Sequence, residues 1–274
     1  MVQQNCGLVQ AKSGGSVNSQ RVAVIIEDDR DIRSILETVL QQSGFATHPA
    51  ATGAEGVEAV ERYQPDVVTL DLGLPDFDGF EVVRQVRQFS DGYIVVLSAR
   101  ADEMDTLLAL EAGADDYVTK PFRPRELRAR VAAMLRRPRQ AGTGQGLRPE
   151  ADPGPAQEAP EQESGALVHN GLLIDHSTRT AQLEGRDVEL TRTEFDLLHA
   201  LMESGRVVRT KPDLVRRLRY EHYDTGAFVS DADERAVEVH IGNLRRKLGD
   251  DPRSPRWLET VRGVGYRLAP QVQD

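Results

Sequence analysis

The stretch that decides the fold is residues 67–79, VVTLDLGLPDFDG. Its first four residues form a short, largely β-branched apolar run, which predicts a strand buried on both faces. The run ends on a carboxylate, Asp71, and is followed by Gly, Pro and Asp residues typical of turns. In an open parallel sheet, ligands bind at the carboxyl ends of the strands. Asp71 is therefore expected at the mouth of such a crevice, although a single Asp in this setting is more often a loop cap.

Strand-like and helix-like segments alternate five times around this stretch, between residues 21 and 137. Such alternation predicts a parallel sheet with helices on both faces. Four of the strands end on polar side chains, and all four ends belong to the same edge of the sheet. These side chains are Glu27, Asp28, Asp71, Ser98 and Lys120.

The side chains at this edge are suited to phosphoryl chemistry. Crowded carboxylates repel each other unless a cation neutralises them, and hard oxygen ligands open to solvent suit Mg²⁺. An ionised aspartate beside such a metal can attack phosphorus and form an aspartyl phosphate. Lys120 supplies a positive charge and Ser98 a hydroxyl donor for the phosphoryl oxygens. Each residue also has a structural interpretation, such as a helix cap for Asp28, but their common position favours the chemistry.

Charge is distributed unevenly along the 274 residues, a length sufficient for two domains. The net charge is −10; residues 21–137 carry 14 Lys and Arg against 21 Asp and Glu, whereas residues 166–270 carry 17 of each. Residues 235–267 contain 8 basic residues against 4 acidic ones. The acidic chain thus contains a basic segment, and nucleic-acid binding requires a basic face rather than a basic protein.

Cys6 is the sole cysteine of the sequence, which rules out an intrachain disulfide and indicates a reducing compartment. No apolar run approaches the ~20 residues that cross a bilayer, and residues 1–20 lack the apolar core of a signal peptide. These features predict a cytoplasmic protein without membrane attachment and with a disordered leader over residues 1–20. Residues 138–165 are rich in Pro, Gly, Gln and Glu, which predicts a flexible linker.

The segment after the linker has the pattern of a small α+β domain. Two strand-like runs precede Thr191-Arg-Thr-Glu194, a capping-box pattern that starts a helix. Helices are predicted over residues 211–219 and 234–248, separated by a polar loop, and residues 260–268 predict two strands around a Gly-rich turn. A basic helix in the major groove and an Arg-bearing hairpin in the minor groove would form a DNA-reading surface. The alternative is a solvated basic helix beside an ordinary hairpin.

Residues 21–137 resemble a two-component receiver domain, through Glu27-Asp28, Asp71, Ser98-Ala99-Arg100 and Lys120-Pro121-Phe122. The resemblance implies an α/β receiver domain with a five-stranded parallel sheet, flavodoxin-like and doubly wound, and a cis Lys120–Pro121 bond. It implies that Asp71 is the phosphoacceptor and that Ser98 and Tyr117 form a switch. The residues implied for catalysis are Asp71, Ser98 and Lys120, and those implied for Mg²⁺ are Glu27, Asp28, Asp71 and the carbonyl of Gly73.

Residues 166–270 resemble the winged helix-turn-helix output domain of OmpR/PhoB-type transcription factors. The motifs that carry the resemblance are TxxEFxLL from residue 191, VHIxxLRRKL from residue 239 and TVRGVGYR from residue 260. Gly242-Asn243 stands where some relatives carry two basic residues, which is expected to weaken phosphate contact. The residues implied for DNA binding are Arg235, His240, Asn243, Arg245, Arg246, Thr260 and Arg262.

The two resemblances together imply a response regulator of a two-component phosphorelay rather than an enzyme with an external substrate. The implied partners are a sensor histidine kinase, double-stranded promoter DNA, RNA polymerase and, after phosphorylation, a second copy of the chain. The implied dimer-face residues are Asp115, Asp116, Glu126, Arg130 and Arg137, and Thr106 stands where a basic partner for Glu126 is common.

Two other interpretations of the sequence stay open. An Asp-nucleophile phosphatase also uses Asp and Mg²⁺, but it would need an acid two residues after Asp71, where this chain has Gly73. Alternatively, the first domain could be a phosphorylation-independent dimerisation scaffold.

Overall fold

The computed structural model describes residues 20–100, 102–135, 166–219 and 229–272. The predicted leader, apart from Gln20, and the whole predicted linker lie outside these residues. So do Cys6, Arg137 and most of the polar loop predicted before the last helix.

The first half of the chain is a five-stranded parallel sheet in the order β2-β1-β3-β4-β5. Its strands are β1 (Arg21–Ile26), β2 (Phe45–Ala50), β3 (Val67–Asp71), β4 (Tyr93–Ser98) and β5 (Asp116–Thr119). They alternate with α1 (Arg30–Gln42), α2 (Gly53–Tyr63), α3 (Gly79–Arg87), α4 (Glu103–Ala112) and α5 (Pro124–Leu135). One sheet face packs on α1 and α5 and the other on α2, α3 and α4. The predicted doubly wound α/β fold is confirmed.

The strand β3 is buried along its whole length, as its β-branched composition predicts. Val67 points to the core shared with α1 and α5, whereas Val68 and Leu70 point to the core on the opposite face. Because side chains alternate across a strand, a run that is apolar at consecutive positions fills both cores at once. Asp71 is the first residue of this stretch to carry charge, and it lies where the strand leaves the sheet.

The helices of this half begin on the loops that follow the strands, and short polar side chains fix where they start. Asp29, Thr52, Asp78 and Asp102 each accept a hydrogen bond from a backbone N–H in the first turn of the helix that follows. Such N-caps satisfy donors that have no partner inside the helix. The carboxyl edge of the sheet is therefore the edge at which polar groups collect.

The second half combines two small antiparallel sheets with three helices. The four-stranded sheet contains β6 (Ala166–His169), β7 (Leu172–Asp175), β8 (Thr180–Leu183) and β9 (Arg186–Asp187). The helices are α6 (Arg192–Ser204), α7 (Lys211–Leu218) and α8 (Asp231–Leu248). The three-stranded sheet has the order β10-β12-β11, with β10 (Arg209–Thr210), β11 (Leu258–Val261) and β12 (Gly265–Leu268). The hairpin β11–β12 is the predicted wing.

Two details of the second half differ from the sequence prediction. The first sheet has four strands rather than two, because β6 and β9 pair with the outer edges of the predicted strands. The helix α8 begins at Asp231 rather than Glu234, because Ser230 and Asp233 form a reciprocal capping box. The predicted capping box of α6, between Thr191 and Glu194, is confirmed.

None of the helices within the described ranges combines the length and apolarity that a membrane crossing requires.

Candidate functional site

The side chains predicted to converge do so at the carboxyl edge of the parallel sheet. Asp71 pairs in register with Leu97, and Ser98 pairs with Thr119, so the ends of β3, β4 and β5 are level. Lys120 follows β5 directly and its backbone N–H donates to the Ser98 carbonyl at 2.7 Å. The bond between Lys120 and Pro121 is cis, as predicted.

Lys120 links the two acidic residues at the floor of the site. Its Nζ lies 2.7 Å from Asp71 Oδ2 and 2.8 Å from the Glu27 carboxylate. The Glu27 side chain is fully buried, and those of Asp71 and Lys120 are each 11% exposed. Because a buried ion interacts more strongly than an exposed one, this arrangement fixes the position of both carboxylates.

Protonation of this site is governed by burial and by the neighbouring charges. Burial raises the pKa of Glu27 to about 7; the Lys120 ammonium opposes that shift, and the charges of Asp71 and Asp28 add to it. Burial also lowers the pKa of Lys120, but its hydrogen bonds to Asp71 and Glu27 outweigh that effect and leave the pKa above its ordinary value. Lys120 therefore stays charged, and one further cation would favour the ionised form of Glu27.

The acidic residues fit a divalent cation. One carboxylate oxygen each from Glu27, Asp28 and Asp71 lie within 4.8 Å of one another, and Asp28 is exposed to solvent. Gly73, the fourth predicted ligand, is adjacent, since its backbone N–H donates to Asp71 Oδ1 at 3.1 Å. Hard oxygen donors with one side open to water are the environment that Mg²⁺ prefers. The donor set thus suits Mg²⁺ with bound waters.

Two residues that support this edge were not predicted. Arg33, in the first turn of α1, donates from Nη1 to the carbonyls of Glu27 and Asp28, and so holds the acidic loop. Asp76 accepts hydrogen bonds from the N–H groups of Gly53 and Ala54 and ties the loop after β3 to α2. The sequence offers little indication of a role for Arg33 or Asp76, because neither residue lies at the end of a strand.

Ser98 and Tyr117, the predicted switch residues, lie on the neighbouring strands β4 and β5: Ser98 ends β4, and Tyr117 is the second residue of β5, in register with Val96. The Ser98 side chain is nearly fully buried, and its Oγ accepts from the Arg100 N–H at 3.2 Å. The Tyr117 hydroxyl donates to the Arg100 carbonyl at 2.7 Å. Burial raises the pKa of Tyr117, and a side-chain hydrogen bond with Ser98 opposes the shift. Both residues therefore contact the loop between β4 and α4.

The predicted dimer-face residues within the described ranges are engaged in contacts inside the chain. The Asp115 carboxylate is buried, where it accepts from Arg87 and from the Ile94 N–H. Arg130 pairs with Asp116 at 3.1 Å and with Glu126 at 3.2 Å. Their role in a dimer stays a prediction.

The residues predicted to bind DNA divide into two groups by position. Arg246, Thr260 and Arg262 are exposed, and Arg262 lies at the turn of the wing. Arg245 is turned towards the wing, with Nη2 donating to the Leu258 carbonyl and to Thr260 Oγ1, each at 2.7 Å.

The remaining three predicted DNA contacts lie against the first half of the chain. Arg235 forms an ion pair with Glu103 of α4 at 3.2 Å. His240 and Asn243 are 2% and 3% exposed, respectively. This packing was not predicted.

The parallel sheet with its acidic edge and the three-helix unit with its wing define the class of protein: a receiver domain followed by a winged-helix DNA-binding domain. Comparison with family models agrees, since residues 23–132 match the response regulator receiver domain. Residues 185–268 match the C-terminal domain of transcriptional regulatory proteins.

Known proteins are similar to this chain over about nine-tenths of its length. The chain is 38% identical over 247 residues to the transcriptional regulatory protein AfsQ1 of Streptomyces coelicolor, covering 90% of this chain and 97% of the relative. Among solved structures, a RitR mutant is similar with a TM-score of 0.65 and 23% identity, covering 91% of this chain and 99% of that one. DrrB of Thermotoga maritima, an OmpR/PhoB homologue, is 29% identical with a TM-score of 0.45, covering 92% and 100%. The chain belongs to the two-component response regulators of the OmpR/PhoB type.

Proposed function

We propose that this response regulator accepts a phosphoryl group on Asp71 from a sensor histidine kinase and then, as a dimer, binds promoter DNA. The observation that carries the proposal is the meeting of Asp71 with Lys120, Glu27 and Asp28 at one sheet edge. The chain would act in the cytoplasm beside RNA polymerase, and its own chemistry would be limited to gaining and losing that phosphoryl group.

In the proposed transfer, Asp71 Oδ attacks the phosphorus of a phosphohistidine. The P–N bond breaks, the imidazole leaves with the electron pair, and an acyl phosphate forms. Bound Mg²⁺ would neutralise charge on the phosphoryl oxygens. Lys120 contacts Asp71 and would pair with the transferred group, and the Ser98 hydroxyl would donate to it. Glu27 and Asp28 hold the acidic side of the pocket.

Phosphorylation would act on DNA binding through Ser98 and Tyr117. The transferred group adds roughly −1.5 to −2 charge units, next to a loop that both residues contact. Drawing Ser98 towards the phosphoryl oxygens would shift this loop and Tyr117 with it. The face formed by α4, β5 and α5 would then favour pairing of two receivers, which suits two direct half-sites roughly 10–11 base pairs apart.

The test measures the affinity of the full chain for DNA with and without acetyl phosphate. The DNA fragments are those that genome-wide footprinting shows to be protected by the chain. We expect the affinity to rise by about 5- to 150-fold, the usual range of coupling between two sites. If phosphorylation does not change the DNA affinity, the first domain is better interpreted as a phosphorylation-independent dimerisation scaffold. Steady turnover of small phosphoesters would instead favour the phosphatase, although Gly73 occupies the position of its second acid.

Arg262 offers a test of the wing. Arg262→Ala is expected to weaken binding to every DNA sequence by roughly tenfold, the effect of one charge-assisted contact. The log–log salt slope should also fall by about 1, because one fewer counterion is released. Arg186→Ala is the matched control, since Arg186 is exposed on β9 of the other sheet. A salt slope equal to that of the unsubstituted chain would remove Arg262 from the interface.

A further inference from the structure

The outer strand of the wing is held on α8 by the guanidinium of Arg245. This residue lies in the last turn of α8 and is partly buried. Its Nη2 donates to the Leu258 carbonyl and to Thr260 Oγ1, each at 2.7 Å. An Nη atom of arginine carries two N–H groups, so these two bonds use both of them. The contact therefore joins the carboxyl end of α8 to two positions of β11.

The other surroundings of Arg245 also lie inside the winged-helix domain. Its guanidinium carbon lies 5.9 Å from the centre of the Tyr266 ring, and Tyr266 pairs in register with Thr260. Its Nε is buried and has no hydrogen-bond partner among the described residues. Burying an N–H group without a partner is costly. The two bonds to β11 offset that cost and fix the side chain in this position.

The strand β11 depends on this contact because it lies at the edge of its sheet. In the order β10-β12-β11 it pairs only with β12, and an edge strand has unpaired backbone groups along its outer side. At Leu258, the Asp250 carboxylate accepts from the N–H at 2.9 Å and Arg245 donates to the carbonyl. Thr260, the next residue on this side, is exposed and bonds to Arg245 through its side chain. Arg245 thus holds the outer side of the strand towards the wing tip.

The inner strand of the wing is fixed by a different contact. Thr210 and Gly265 pair in register across β10 and β12. A Cβ at position 265 would collide with the Arg209 carbonyl oxygen, so only glycine allows the two strands this close approach. The strand β12 is therefore held on β10 by backbone contact, whereas β11 is held on α8 by a side chain. Arg262 lies in the turn that joins β11 to β12, just beyond Thr260.

We infer that Arg245 is a positioning residue: it fixes the wing against α8, so that Arg262 meets DNA at a set distance from the helix, and it does not itself contact DNA. The inference rests on the DNA-binding role proposed above. Contact between Nη2 and a phosphate would break both bonds to β11 and release the strand that leads to Arg262. Holding the wing in place before DNA binds avoids the entropic cost of ordering it during binding.

The first test is a double-mutant cycle with Arg262→Ala, measured by fluorescence anisotropy on the footprinted fragments. Arg245→Ala alone is expected to weaken DNA binding by about three- to tenfold, because the wing contact is all that it can lose. In the Arg262→Ala background, the same change should cost less than about threefold and leave the log–log salt slope unchanged. Two separate contacts with DNA would instead have multiplicative effects, and the slope would fall again by about 1.

Arg245→Lys distinguishes positioning from phosphate contact in a single variant. Lysine keeps the positive charge and binds phosphate, but it lacks the rigid planar fork that holds two acceptors in a fixed direction. We therefore expect Arg245→Lys to weaken DNA binding about as much as Arg245→Ala does. A phosphate contact predicts instead that lysine restores most of the affinity. Arg186→Ala, at an exposed position of β9, is the charge-matched control and should keep the affinity within about twofold.

Amide hydrogen exchange of the DNA-free chain measures the hold on the wing directly. The amides of residues 259–265 should exchange about two- to tenfold faster in both Arg245 variants, because the strand has lost its contact with α8. The increase should exceed that in α6, which separates release of the wing from a general loss of domain stability. Arg186→Ala should exchange as the unsubstituted chain does.

Three results would overturn the inference: multiplicative effects of the two alanine substitutions, restored affinity in Arg245→Lys, or unchanged exchange of the wing in both Arg245 variants. If even the unsubstituted chain binds no DNA, the proposed function fails instead. In that case the exchange of the wing amides still reports whether Arg245 holds the wing on α8.

Discussion

Substitution of Asp71 by Asn is expected to abolish phosphorylation of the chain by acetyl phosphate. The reason is chemical: an amide is a far weaker nucleophile than a carboxylate and cannot form the acyl phosphate. The substitution also removes one of three carboxylates that can hold Mg²⁺, and a metal is worth several kcal/mol of charge stabilisation in such transfers. We expect incorporation to fall by more than about 100-fold. Intact-protein mass spectrometry measures it directly, as the mass of one phosphoryl group.

The control for Asp71→Asn is Asp31→Asn. Asp31 is an exposed acid in the first turn of α1, close in sequence to Glu27 and Asp28, and it is not among the carboxylates that cluster in the acidic pocket. This variant should be phosphorylated as the unsubstituted chain is, whereas EDTA should suppress phosphorylation of both. Phosphate uptake by Asp71→Asn at the level of the control would place the phosphoacceptor elsewhere and remove the basis of the proposed function.

The carboxyl edge of the sheet was predictable because strand geometry is encoded locally. Short β-branched apolar runs bounded by turn residues are typical of strands in a parallel sheet covered on both faces, and the carboxyl ends of such strands lie at one edge. Asp71 and Lys120 are far apart in sequence, but Asp71 ends the buried strand β3 and Lys120 directly follows the strand β5, so their convergence needs no knowledge of helix packing. The distance of 2.7 Å between their side chains is the outcome of that rule.

The start of α8 and the contact between the domains were not predictable in the same way. Ser230 and Asp233 form a capping box at the end of a long polar segment, where a loop was the simpler interpretation. His240 and Asn243 have no apolar pattern that marks them for burial, and their partners are backbone carbonyls, which every residue has. Sequence patterns specify which face of a helix is apolar, but they do not specify which polar groups meet across two domains.

Arg245 is another polar residue whose role could not be determined from the sequence. A basic residue on a helix of a DNA-binding domain is most simply interpreted as a phosphate or base contact. Here the guanidinium instead connects α8 to the wing through the Leu258 carbonyl and Thr260, and it lies over the Tyr266 ring at 5.9 Å. The long, planar guanidinium can serve structure or recognition equally well, so only its partners distinguish the two.

Asp115→Ala is expected to be among the most destabilising single changes in the receiver domain. The Asp115 carboxylate accepts from the Arg87 guanidinium and, at 3.0 Å, from the Ile94 N–H, and its side chain is fully buried. Its removal leaves the Arg87 side chain, which is only 13% exposed, without its counterion. Breaking a buried pair in this way costs about 3–5 kcal/mol. The measurement is the free energy of unfolding in urea. Glu81→Ala is the control, since both members of its pair with Arg84 are about half exposed and such a pair is worth about 0–1 kcal/mol.

The pH dependence of the difference in unfolding free energy between Asp115→Ala and the unsubstituted chain tests the role of the charge directly. Burial raises the pKa of Asp115, but the Arg87 guanidinium and the Ile94 N–H outweigh it and hold the pKa below its usual value. A carboxyl with a depressed pKa in the folded state contributes stability that is fully present above its unfolded pKa of about 3.9. This stability is lost as the pH falls through the folded pKa, because the folded state must then take up a proton that the unfolded state already holds. We therefore expect the full difference between Asp115→Ala and the unsubstituted chain at pH 7, and a smaller one well below pH 4. A difference that is the same at both pH values would mean that Asp115 stabilises the domain by packing rather than by charge.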